Sequence, residues 1–151
     1  MIGLAVLHYV HVVWAGGGIF YALAVVPTLI ARGPAAAPLY GQLARRAAPL
    51  MGAAGGLVLL SGLLRLWAEP RIDSFGALWS GYGLAVLAAL LLVFVAEGNG
   101  GPIRARLGRL AADPDAFSRE APALARRDAA VFVPAVLLIL ALMVAMRLGL
   151  V

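Results

Sequence analysis

Four stretches of this chain, 2-30, 49-67, 78-96 and 129-150, contain between them only two charged residues, Arg65 and Arg147. A helix crossing the hydrocarbon core of a bilayer needs roughly 20 predominantly apolar residues, and each stretch is close to that length or beyond it. Four spans with short connections use up a chain of 151 residues and leave no room for a separate soluble domain. Composition points the same way: 64% of residues are hydrophobic and the mean hydropathy is +0.98, against roughly 45–50% apolar residues in soluble domains. The first stretch lacks a basic leading segment and outruns the roughly 7–15 apolar residues of a secretory signal, so a retained helix is expected. The expected fold is all-α: a transmembrane four-helix up-down bundle, one integral membrane domain over 1-151.

The formal net charge of +5 comes from twelve basic residues, all of them arginine. They cluster at the ends of the apolar stretches, so the positive-inside rule accounts for them without nucleic acid as a partner. Arg32, Arg45 and Arg46 fall in the first connection, and Arg104, Arg106, Arg109, Arg119, Arg126 and Arg127 in the third; Arg65, Arg71 and Arg147 fall at the other level. This places both termini outside the plasma (inner) membrane and loops 1-2 and 3-4 in the cytoplasm. Within the third connection, Ile103, Leu107 and Leu110 alternate at helical spacing with Arg104, Arg106 and Arg109, which predicts a short amphipathic surface helix over 102-112. Without cysteine there is no disulfide or thiolate metal site, and without lysine no Schiff-base chemistry.

Against this apolar background two histidines stand out. At about 100° per residue, His8, His11, Ala15, Gly18 and Ala22 share one arc of helix one, with Trp14, Gly17 and Tyr21 on the adjacent strip. Small neighbours let a helix or a planar cofactor approach the backbone, and Gly52, Gly55, Gly56 and Gly62 offer a second smooth face on helix two. Ionisable groups inside spans are costly and usually mark a functional site, and neutral imidazole is a common axial ligand of haem iron. The alternative is an ordinary interhelical hydrogen bond, worth about 0.6 kcal/mol in measured membrane cases. Two histidines at i and i+3 cannot grip opposite sides of one porphyrin; either one ligates while the other serves a propionate or a proton path, or they serve two separate sites.

Arg65 is either a partner for an anionic group, such as a haem propionate or a quinone oxygen, or it snorkels to the outer interface or pairs with Glu69 one turn on; Arg147 reads as an interfacial anchor. Tyr82 opens helix three near the level of the histidines, and Trp67 and Trp79 read as an aromatic belt. Met143 and Met146, one turn apart, give a weak Met/His copper alternative. Glu97 and Asn99 are expected as a solvated end to helix three, and Pro27 and Pro134 as kinks.

A histidine followed by "VVWAGGGIFYALAVVP" resembles the first helix of the small four-helix membrane proteins that include the CopD copper-resistance domain and the HemJ-type protoporphyrinogen oxidases. On the HemJ side the resemblance implies a b-type haem ligated by a helix-one histidine, with oxidation of protoporphyrinogen; on the CopD side it implies copper handling at the outer face. The resulting expectation is a haem-binding membrane redox protein. His8 or His11 is the metal ligand, and His8, His11, Trp14, Gly18, Arg65 and Tyr82 surround the cofactor, in the outer half between helices one and two. The alternatives are a copper-handling protein and a non-catalytic accessory subunit of a larger membrane complex. Besides the lipid bilayer, a homo-oligomer is a further open partner reading, since a dimer could bring two helix-one histidines onto one iron.

Overall fold

The computed structural model describes residues 9–68 and 70–151, the side chains of Arg65, Trp67 and Ala68 excepted. It contains four long helices: α1 (Val10–Ile30), α2 (Ala37–Ala68), α3 (Gly81–Leu110) and α4 (Pro114–Leu148). All four are long and apolar enough to cross a membrane, and no strand occurs among the described residues. Consecutive helices run antiparallel. Gly18 meets Met51 and Tyr21 meets Tyr40 between α1 and α2; Gly62 meets Leu90, Gly55 meets Glu97 and Gly41 meets Ala111 between α2 and α3; Gly100 meets Asp128 between α3 and α4.

Helices α2, α3 and α4 are longer than the apolar runs that predict them. At about 1.5 Å per residue they reach roughly 45–50 Å, well beyond the roughly 30 Å of a hydrocarbon core. The separate surface helix expected over 102-112 does not form; those residues to Leu110 continue α3 straight through Pro102. Tertiary burial outweighs the local breaker: Ile103 and Leu107 pack with Phe117, Ala121, Tyr40 and Leu29 in an apolar cluster at this end of the molecule. The start of α2 extends in the same way, because Ala37 and Tyr40 are wholly buried while Arg45 and Arg46 stay exposed.

Caps explain where the chain turns. Asp113 accepts hydrogen bonds from the amides of Asp115 (3.1 Å) and Ala116 (3.0 Å), with Pro114 in the first turn of α4, so the α3–α4 connection is only a tight turn. Ser80 caps α3 by accepting from the Gly83 amide at 3.1 Å, and Gly33, at φ +67, turns the chain between α1 and α2. Inside α1, residues Tyr21–Val25 form a π-helical turn in which the Val26 amide bonds to the Tyr21 carbonyl. Pro27 gives the reason: it lacks an amide hydrogen and its ring crowds the Leu23 carbonyl, and widening the helix by one residue relieves both.

A second apolar cluster occupies the other half of the helices, with Trp14, Ala15, Val58, Val93, Phe132, Val136 and Ile139 at its centre. Trp14 and Phe132 meet edge to face, centroids 5.4 Å apart. Gly18 makes this packing possible: a Cβ there would run into the Phe132 ring. Gly18→Ala is therefore expected to lower stability by about 1–3 kcal/mol, the usual cost of overpacking. Thermal unfolding in detergent measures it, and an unchanged midpoint would refute the close contact.

Candidate functional site

The segment joining α2 to α3 closes one end of the helices with a 3-10 turn at Gly76–Trp79. Arg71 and Ile72 of this segment border a cavity of about 690 Å³. Val58, Gly62 and Leu66 of α2, Tyr82, Val86 and Val93 of α3, and Ile139, Met143, Met146 and Arg147 of α4 form its main walls, and His11 reaches it from α1. That volume is within the roughly 300–1,000 Å³ of small-molecule sites. Among the described residues the walls are mostly aliphatic, and their polar chemistry is one imidazole, one phenol, two guanidiniums and two thioethers. The Arg71 guanidinium carbon is 5.0 Å from the centroid of the Tyr82 ring, a cation–π contact that steadies the cation at the rim. His11, Arg71 and Tyr82 are each engaged by interactions within the protein, so the polar groups are held rather than loose.

Of the six cofactor residues expected from sequence, the cavity gathers His11 and Tyr82. His8 and the side chain of Arg65 lie outside the described residues. Trp14 and Gly18, one and two turns beyond His11 on α1, are buried in the apolar cluster and are not among the cavity's described walls. The guanidiniums found there among the described residues are those of Arg71 and Arg147, so Arg147, expected as an interfacial anchor, is a wall residue. The site also differs in location: α2, α3 and α4 make most of the enclosure, with α1 contributing the histidine. Among the described residues no three His, Asp or Glu side chains gather as a metal-binding group.

A second polar arrangement lies deeper, between the two apolar clusters. Glu97 is no solvated helix end. It stands inside α3, where its Oε1 accepts the Trp14 indole N–H at 2.7 Å and its Oε2 pairs with Arg104 Nη2 at 2.8 Å. Arg104 Nη1 is 3.9 Å from Asp128 Oδ1. Tyr21 donates to the Tyr40 hydroxyl at 3.2 Å nearby, and both tyrosines are within electrostatic reach of Arg104 and Asp128. Two glycines make space for the layer. A Cβ on Gly55 would sit 3.0 Å from Glu97 Oε1 and 3.2 Å from Trp14 Nε1, and one on Gly100 would sit 2.8 Å from Asp128 Oδ1. The local signal for it is the spacing Glu97, Gly100, Arg104, which puts an acid, a gap and a base on one helical face.

No family model matches the chain, and no curated protein or solved structure matches it either. The likeness to the CopD and HemJ group therefore rests on the residues of the first helix and the four-helix layout.

Proposed function

We propose that the chain inserts in the inner membrane as a four-helix up-down bundle and binds a b-type haem in the cavity between the α2–α3 segment and His11. Insertion is supported by the outward faces of the helices, where Phe20, Leu23, Leu60, Leu91, Phe94, Leu137 and Leu138 are exposed on all sides. The arginine-rich helix ends around the α1–α2 and α3–α4 turns then face the cytoplasm and the cavity opens toward the outer side.

The observation that carries the haem reading is the pairing, in one apolar cavity, of an imidazole with two guanidiniums. Haem is a flat apolar ring bearing two carboxylates and an iron that accepts imidazole and thioether ligands, and the wall chemistry fits each part. His11 would hold the iron, and ligating histidines usually donate their other ring N–H to a protein acceptor. Met143 and Met146 would offer thioethers as further iron ligands, Arg71 and Arg147 would bind the carboxylates, and Tyr82 would position Arg71. The aliphatic walls exclude water. Bound haem supplies reversible one-electron exchange, and the resemblance to the HemJ group makes protoporphyrinogen the first substrate to try.

The test is the absorbance spectrum of the purified, detergent-solubilised protein, oxidised and reduced, before and after titration with haem. A Soret band that saturates at one haem per chain is expected. Copper retained through dialysis with no porphyrin would replace this reading with copper handling, for which His11, Met143 and Met146 are the soft donors at hand. Stable co-purification with a larger membrane complex and neither cofactor would replace it with an accessory role.

A further inference from the structure

Every helix sends a charged or titratable side chain into the layer between the two apolar clusters: Tyr21 from α1, Tyr40 from α2, Glu97 and Arg104 from α3, and Asp128 from α4. Two carboxylates face one guanidinium, so the fully ionised cluster carries one negative charge in excess. The geometry shows which carboxylate bears it. Glu97 is satisfied at both oxygens, by Trp14 at 2.7 Å and by Arg104 at 2.8 Å. Asp128 is only 7% exposed, its Oδ1 accepts no hydrogen bond, and the Arg104 Nη1 at 3.9 Å is beyond hydrogen-bonding distance. The tyrosine hydroxyls are bonded to each other, and Arg126 and Arg127 beside Asp128 on α4 are exposed. A buried carboxylate that shares one cation with a better-paired carboxylate relieves the excess charge by taking up a proton. The cluster is also built to be this close, since Gly100 leaves no room for a Cβ beside Asp128 Oδ1.

We propose that Glu97, Arg104 and Asp128 form a binding site for a single proton, seated on Asp128 at neutral pH. With Asp128 neutral, Glu97 and Arg104 balance and the layer carries no net charge. The site stands apart from the cavity and does not depend on what the cavity binds. Its Glu97–Arg104 edge, with side chains 24% and 19% exposed, is where the proton enters and leaves. Intramembrane carboxylates in such surroundings serve as proton-relay groups.

Infrared spectroscopy of the full chain in lipid vesicles at pH 7 tests this. A carbonyl band of a protonated carboxylic acid, shifted on transfer to D2O, is expected in the wild-type protein. It should vanish in Asp128→Asn. It should vanish as well in Glu97→Gln, where the freed Arg104 balances an ionised Asp128, and persist in Glu120→Gln, which alters an exposed ion pair with Arg106. Absence of the band in wild type overturns the proposal without any variant, whatever balances the charge. Persistence of the band in Asp128→Asn overturns the assignment, and persistence in Glu97→Gln overturns the charge argument. Far-ultraviolet circular dichroism establishes that each variant compared is folded.

Discussion

His11→Ala is expected to abolish the Soret band of the haem-loaded protein, lowering haem affinity by more than about 100-fold. The magnitude follows from ligation: losing an outer partner of a metal ligand already costs roughly 10–100-fold, and losing the ligand costs more. Graded effects should surround it. Arg71→Gln and Arg147→Gln each remove one charge-assisted bond to a carboxylate, worth about 1.5–3 kcal/mol and hence roughly tenfold or more in affinity. Met143→Leu and Met146→Leu conserve volume, so a change in reduction potential in one of them, with haem content preserved, would identify a thioether ligand. Tyr82→Leu removes the ring beneath Arg71 and should weaken binding in step with Arg71→Gln, with no further loss in the double variant. Full haem content in His11→Ala would remove the axial ligand from this cavity and end the assignment.

The largest stability effect is expected at Arg104. Arg104→Leu strips Glu97 of its cation in a layer where the Glu97 side chain is 24% exposed and the Asp128 side chain 10% exposed. Removing one partner of a fully buried ion pair costs about 3–5 kcal/mol, because the remaining charge stays buried; this part-buried pair is expected at or just below the lower end, about 2–3 kcal/mol. Glu97→Gln should cost distinctly less, since Asp128, 3.9 Å from Arg104 Nη1, can take over the guanidinium. The double variant should recover part of the Arg104→Leu loss, with a coupling of about 0.5–3 kcal/mol in a double-mutant cycle. Unfolding in detergent followed by circular dichroism measures all four proteins. A loss at Arg104→Leu below about 0.5 kcal/mol would put the pair among exposed contacts of little energetic weight.

Much of the architecture is legible along the chain because it depends on local quantities. The four apolar runs predict four helices, and the arc of Ala15, Gly18 and Ala22 predicts the buried face of α1, which is where the structure puts them. Helix limits are less legible. Pro102 and the arginines of 102-112 read locally as a break followed by a surface helix, yet burial of Ile103 and Leu107 against Phe117 carries α3 through. The site residues divide in the same manner. His11 is conspicuous in sequence as an imidazole in an apolar run. Arg71, by contrast, comes from an irregular segment, and its relation to Tyr82 depends on how that segment folds back.

Glu97 shows the limit most clearly. At the end of an apolar run followed by Gly98 and Asn99, it has every local mark of a solvated terminus. Its hydrogen-bond partner Trp14 is 83 residues away, and their meeting depends on the rotation and register of α1 against α3, which Gly55 permits by leaving room for both groups. By itself the sequence determined the number of long helices, their apolar character and the candidate carriers of chemistry on each, because hydrophobicity and helical period act over a few turns. Only the tertiary structure decided which of those carriers meet, placing His11 with Arg71 and Arg147 at one end and Trp14 with Glu97, Arg104 and Asp128 in the middle. Contacts between helices depend on relative rotation and register, and these are set by the sum of many weak packing contacts across the whole assembly.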